Sequence, residues 1–327
     1  MKRRSLMAAA TLAALLGTTI GVQAQTKWDL ASAYPAFNFH SENIAQFAKD
    51  VADATKGQLQ ITPHPGASLF KAPEIKRAVQ GSQAQAGEFI MVNFQNEWPI
   101  FGADGLPFVA SSYEDAFKLY QAQKPILEKK LGEQGMTLLY AVPWPPQGLF
   151  SKKPIESAAQ LKGMKMRAYS PATARIAELV GAQPVTIQEA ELPQALATGV
   201  VESLMTSGST GTDKKLYESM GYYYDVQAWL PKNAIVANKR AFERLDAATQ
   251  QAVRKAAADA EQRGWQRSKE VTAQSIEKLK AEGMQVLEPS PQLKSDLAKV
   301  GETMQAEWLK KAGEPGKALL DAYKAAQ

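Results

Sequence analysis

AQLKGMKMRAYSPATARIAELVGAQPVTIQEAELPQALATGVVESLMT, residues 159–206, alternates short apolar runs with helix-forming ones. Residues 164–169 read as a strand. Ser170 and Pro171 then read as an N-cap and first helical residue, opening a helix to about Val180. QPVTI at 183–187 is a second strand, EAELPQALATG at 189–199 a second helix, and VVESLMTS at 200–207 a third strand. A β-α-β-α-β run builds a sheet with helices packed on it.

The preceding half of the chain reads the same way. KWDLASA at 27–33 is a strand, and residues 41–57 are a helix with Ser41 as N-cap and Gly57 as its stop. QLQITPHPG at 58–66 is again a strand. A helix at 72–81, a strand at 84–92, an aromatic loop at 93–108 and a helix at 113–134 follow. MTLLYAVPW at 136–144 is continuous and apolar, as expected of a strand buried on both faces. After the second series, residues 228–245 return as a strand and turn, and 246–284 form a helical tract too long for one small lobe.

The expected fold is therefore α/β and two-lobed, with a cleft between lobes, short hinge strands and a long helix running along both. The lobes are expected at 25–147 plus about 231–270 and at 148–230 plus about 271–327. No low-complexity tether separates them.

Lys2, Arg3 and Arg4 precede a short apolar run that ends in Val22, Gln23 and Ala24. That layout predicts an export signal cleaved after Ala24, and hence a periplasmic protein without a membrane anchor. The run, broken by Gly17, Thr18, Thr19 and Gly21, is short of the roughly 20 apolar residues a bilayer span needs. Without those three cations the chain has 35 basic and 33 acidic residues, and no basic stripe that would suit nucleic acid. Zero cysteines exclude disulfides and thiolate chemistry. With His40 and His64 as the only histidines and no HExxH motif, neither a metal site nor a cofactor is expected.

SGSTG at 207–211 departs from both the nucleophile-elbow and the phosphate-loop patterns, and reads as a polar loop after a strand. Glu189 and Glu191 fit the first turn of a helix, where its dipole favours acids. Arg167 stands where a strand gives way to a helix, the position at which open α/β sheets bind ligands. A guanidinium there can clamp a carboxylate through two parallel hydrogen bonds. Position alone also allows an arginine snorkelling at a sheet edge or pairing with Glu191.

Together LKGMKMR, LVGAQPV, ALATG and GVVES, in that order and spacing, resemble the solute-binding proteins of tripartite ATP-independent periplasmic (TRAP) transporters, the DctP family. TKGQLQITPHPGASLF, GLPFV and NKRAFERLDAATQQAV extend the resemblance over nearly the whole chain after residue 24. It implies a periplasmic receptor, not an enzyme, whose lobes close on an organic acid and which hands that acid to a membrane permease. Arg167 would receive the carboxylate, and Glu191 would brace its helix.

Sialic-acid-binding relatives carry a second arginine where Gln147 stands, and an asparagine where Thr206 stands. Those departures disfavour a sugar acid and leave Gln147 and Thr206 as neutral hydrogen-bonding groups. Phe37, Phe39 and His40, then Phe94 and Trp98, Trp144 and Trp229 surround the expected cleft, with Asn93 on the opposite wall. The expected ligand is a monocarboxylate with an apolar or aromatic body. Alternatives are an aliphatic 2-oxo or 2-hydroxy acid or a C4-dicarboxylate; a receptor feeding a sensor; and an exported hydrolase using His40 or the 207–211 loop.

Overall fold

A computed structural model describes residues 25–327, so the expected export signal lies outside the described residues. β1 (Thr26–Ala31), α1 (Phe39–Ala54) and β2 (Leu59–His64) form a parallel β-α-β unit, with Thr26 opposite Leu59 and Ala31 opposite His64. α1 starts earlier than expected, because Asn38 is its N-cap and accepts from the His40 N–H. Ser41 bonds instead to the Tyr34 carbonyl, which pulls Phe39 and His40 into the buried first turn. α2 (Ala72–Gln80), β3 (Ala86–Ile90), α3 (Tyr113–Glu133) and β4 (Met136–Pro143) complete the first half. β3 is shorter than read, because Met91–Phe94 turn as a 3-10 helix.

The second half runs β5 (Gln147–Ser151), β6 (Lys165–Ala168), α4 (Pro171–Leu179), β7 (Gln183–Thr186), α5 (Leu192–Ala197), β8 (Ser203–Ser207), α6 (Gly208–Asp213) and β9 (Tyr222–Tyr224). The expected loop at SGSTG is thus the start of α6, with Ser207 as its N-cap, accepting from Thr210 N–H. β10 (Lys232–Asn238), α7 (Lys239–Glu243), α8 (Ala247–Ala281), β11 (Gln285–Leu287) and α9 (Pro291–Ala325) follow.

One sheet has the order β2-β1-β3-β10-β4 and the other β11-β9-β5-β8-β6-β7. β10 runs antiparallel between β3 and β4, so the chain leaves the first sheet after β4 and returns to its middle. The outgoing and returning segments stay paired as they cross: Trp144 N–H donates to Pro231, Gln147 N–H to Trp229, and Ala228 N–H to Gln147. This narrow two-stranded ribbon stands where the hinge is expected.

Layers of helix cover both faces of the first sheet. Trp28, Leu30 and Tyr140 pack with Phe47 and Val51 of α1 and Val253 and Ala257 of α8. Phe89, Leu138 and Val236 pack on the other face with Tyr120 and Leu127 of α3. The 35 residues of α8 span about 50 Å at 1.5 Å per residue. It packs on α1 and β4 at one end and on α6 and β11 at the other, so it spans both lobes. Gly264 lets it lie directly on β4, where a Cβ would strike the Val142 side chain. α9 is a second bridge: Leu293, Leu297 and Val300 join the core of the second lobe, whereas Leu319, Leu320 and Tyr323 pack beside Ile100 and Leu119 of the first.

Candidate functional site

The cavity between the sheets has a volume of about 370 Å³, at the small end of the range for organic ligands. Arg167 reaches it from the end of β6, where Ser170 caps α4 by accepting from Thr173 N–H. The side chain is only 2% exposed, which removes the surface-charge and snorkelling alternatives. Its Nε donates to the Ile187 carbonyl at 2.9 Å, and its guanidinium lies 5.0 Å from the Tyr169 ring centroid. Among the described residues, neither terminal nitrogen of Arg167 has a hydrogen-bond partner, and no carboxylate pairs with the group.

Burial pulls the Arg167 pKa down from its ordinary range, and Glu189 opposes that. A guanidinium nevertheless stays charged, so the cavity holds a desolvated cation with its two-pronged end unspent. Glu191 is not its partner. Oε2 of Glu191 accepts from the Gln188 N–H, bracing its own turn at the cavity mouth.

Gln147, Thr206, Trp144 and Asn93 also line this cavity. Gln147 Nε2 donates to the Pro145 carbonyl at 3.0 Å, and its Oε1 accepts from the Tyr169 hydroxyl at 3.2 Å. Trp144 is fixed by its indole N–H, which donates to Asn233 Oδ1 at 2.9 Å. Asn93 Oδ1 is buried with no partner among the described residues, an acceptor left for something in the cavity.

Phe39, His40 and Trp229 do not line the cavity. Phe39 and His40 sit behind Trp144, with ring centroids 5.5 and 4.5 Å from its own, because Asn38 and not Ser41 caps α1. Trp229, 1% exposed, packs with Met205, Leu297 and Val300 in the core of the second lobe. Phe94 does line the cavity, whereas Trp98 packs edge-on to Phe101 and Phe37 is exposed.

Sequence reading missed Tyr34, Glu88, Tyr169 and Glu189 in the wall. Tyr169 had a signal, since it lies two residues beyond Arg167 on the same strand face. Glu88 had one too: an acid inside the apolar run AGEFI must be paired or put to use. It is 1% exposed, and burial pushes its pKa up to about 7 against the hydrogen bonds from Ser32 and Asn233. Glu189 is also raised by burial, with Lys214 and Arg167 holding it down.

Among the described residues, no cluster of three or more His, Asp or Glu side chains could hold a metal ion. Ser207, Ser209 and Thr210 hydrogen-bond to one another, and no histidine pairs with them among the described residues. No helix of the described residues is long and apolar enough to cross a membrane.

Residues 31–312 match the family model for DctP, bacterial extracellular solute-binding protein, family 7. The chain belongs to the DctP family. Its members are solute receptors and not enzymes, and this DctP protein shares their two-lobed fold. It is similar to the crystal structure of DctP6, a Bordetella pertussis extracytoplasmic solute receptor binding pyroglutamic acid. The two are 59% identical with a TM-score of 0.91, covering 92% of this chain and 100% of that one. A marine metagenome TRAP solute-binding protein specific for pyroglutamate, with that acid co-purified, is 45% identical at TM-score 0.90, over 92% of this chain and 99% of that one. A solute-binding protein of Albidiferax ferrireducens is 26% identical over 55% of this DctP chain and 54% of its own length.

Proposed function

We propose that this DctP protein is the periplasmic receptor of a TRAP transporter for a small cyclic monocarboxylate of the pyroglutamate class. The observation that carries the reading is Arg167: a buried cation that lines the interlobe cavity and whose two terminal nitrogens have no partner among the described residues. A ligand carboxylate supplies the charged, bidentate partner that the protein withholds. Gln147, Thr206 and Asn93 give neutral hydrogen bonds to the rest of the molecule, and Tyr34, Phe89 and Trp144 enclose its ring.

Charge counting supports a single carboxylate. Besides Arg167 the inner wall carries Glu88, which is buried, and Glu189, which is largely buried, while Lys71 and Glu191 line it from exposed positions, so a second carboxylate of a C4-dicarboxylate held inside would face acids. The two pyroglutamate-binding structures, 59% and 45% identical, support a lactam acid within the expected class of monocarboxylates with an apolar or aromatic body.

The lobes close because the ligand touches both walls at once, and the closed form is what the membrane permease recognises. The lobes divide into 25–147 plus about 231–270 and 148–230 plus about 271–327, a reading that the two separate sheets support, except that β5 of the second sheet begins at Gln147 and the end of α9 packs on the first lobe. Export is by a signal cleaved after about Ala24.

Native mass spectrometry of the protein as purified, followed by calorimetry with pyroglutamate, 2-oxo acids, aromatic acids and C4-dicarboxylates, tests the ligand class. Preferential one-to-one binding of pyroglutamate is expected. Tighter binding of a dicarboxylate or an open-chain 2-oxo acid would reject the lactam reading, and turnover of any acid would reject the receptor reading.

A further inference from the structure

Glu88 enters the cavity from β3, in the lobe opposite Arg167. Asn233 Nδ2 donates to its Oε1 at 2.8 Å, and the Ser32 hydroxyl donates to its Oε2 at 2.5 Å. Among the described residues no lysine or arginine pairs with it, and the nearest basic group is His40, whose Nδ1 lies 3.5 Å from Oε1. A carboxylate offers about four acceptor positions, so two hydrogen bonds leave capacity unspent. Burying such a group in a ligand cavity is costly, and the cost is recovered only when a donor arrives.

We propose that Glu88 sets the specificity of this receptor by accepting a ring N–H from the acid whose carboxylate rests on Arg167. This rests on the cyclic-monocarboxylate reading and names the second group the ligand must carry. A lactam acid has that N–H; a lactone acid or a ketone of the same shape presents an oxygen and leaves the carboxylate of Glu88 unsatisfied.

The choice of acceptor couples binding to a proton. In the described cavity, without ligand, burial raises Glu88 to about 7, with Ser32 and Asn233 lowering it and Glu189 raising it. Of the groups that face it, His40 from α1 is held well below its ordinary range by burial, so it stays neutral at neutral pH. Tyr34, ahead of α1, and Tyr140 from β4 are pushed well above theirs. Arg167 and Lys214 hold Glu189 down. A ligand N–H favours the ionised form of Glu88, so its binding expels the proton that the free receptor holds below about 7. Affinity for a lactam acid is full above that pH and falls on acidification, by at most about tenfold per pH unit. A ligand that presents an acceptor instead takes the proton of neutral Glu88, and its affinity rises on acidification.

Calorimetry in two buffers of different ionisation enthalpy counts these protons. With pyroglutamate and the wild-type receptor, close to one proton is released at about pH 6 and little at about pH 8. The lactone analogue, 5-oxotetrahydrofuran-2-carboxylate, binds at least about tenfold more weakly at about pH 8, and the gap narrows on acidification. Glu88→Gln abolishes the release and shrinks the lactam preference, whereas in Glu189→Gln the release persists with its midpoint moved to lower pH, because Glu189 raises Glu88.

If Glu88→Gln does not fold, Ser32→Ala serves: losing the hydroxyl donor raises Glu88 further, and the midpoint of proton release moves to higher pH. Binding without proton exchange, equal affinity for lactam and lactone at about pH 8, or release lost in Glu189→Gln would each overturn the assignment. Failure of pyroglutamate to bind at any pH sinks the ligand reading separately. The same proton count with whichever acid co-purifies then decides Glu88, since exchange lost in Glu88→Gln sustains its role and no exchange overturns it.

Discussion

The Arg167 Nε donates to the Ile187 carbonyl at 2.9 Å, tying the inner nitrogen of the guanidinium to the neighbouring strand and leaving its outer pair unengaged. Anchor and ligand contact thus come from one planar group. A lysine keeps the charge but has no second nitrogen with which to hold its place. Arg167→Lys should therefore lose roughly ten- to a hundredfold in acid affinity. An affinity within twofold of wild type by calorimetry would mean that charge alone suffices.

Asn38 links the two lobes. Its Oδ1 accepts from His40 N–H to cap α1, while its Nδ2 donates to Asp213 Oδ2 at 2.8 Å, at the end of α6 in the other lobe. Asp213→Ala removes the bridge and leaves the cap intact, so the expected result is faster ligand release, by roughly three- to tenfold for one charged hydrogen bond, with little change in melting temperature. Asn38→Ala should add a loss of about 1 kcal/mol of stability from the cap. Stopped-flow dissociation separates the two effects, and unchanged release from Asp213→Ala would show that the bridge does not hold the closed form.

At the hinge, Lys232 and Asp104 are fully buried, with Nζ and Oδ2 3.7 Å apart and the Lys232 backbone N–H donating to the same oxygen at 2.8 Å. Asp104→Ala strands the ammonium and should cost roughly 3–5 kcal/mol. Asp104→Ala with Lys232→Met removes both charges and should recover much of that loss. Denaturant unfolding of the three proteins checks it, and a double variant no better than the single one would show that the Asp104 contact to the backbone matters more than the charge.

Glu88 and His40 give opposite pH dependences of stability. The folded state holds a proton on Glu88 up to about 7, well above the ordinary carboxylate range, so Glu88 favours folding at low pH and that contribution is lost as pH rises through about 7. The effect reaches ~3 kcal/mol at most. His40 is kept neutral by burial, so it penalises folding below the ordinary histidine range. Between about pH 5 and 7, Glu88→Gln should flatten the fall in stability with rising pH that Glu88 gives the ligand-free wild type. Parallel pH profiles for the two proteins would contradict it.

Much of this was readable from residue order. The strand-to-helix junction at Arg167, with Ser170 and Pro171 after it, carried both the topology and the key side chain, because caps and prolines act locally. The hinge was readable from apolar strands that leave and return without a flexible tether. The aromatic residues were less legible. Whether Phe39 and His40 face the cavity depends on which of Asn38 and Ser41 caps α1, and both types cap well. Trp229 packs into the core of the second lobe and not into the cavity, and nothing local decides which side a residue in a two-stranded ribbon takes. Glu88 shows the converse: one acid in an apolar strand signalled a buried carboxyl, but its partners Ser32 and Asn233 lie 56 and 145 residues away.

The most direct measurement is a titration of pyroglutamate into the wild-type receptor and into Arg167→Ala, with thermal unfolding of both. One-to-one binding by the wild type is expected, with a loss of more than about tenfold in the variant and the fold retained, because the ligand carboxylate loses its one buried cation. Equal affinity in two equally folded proteins would contradict it.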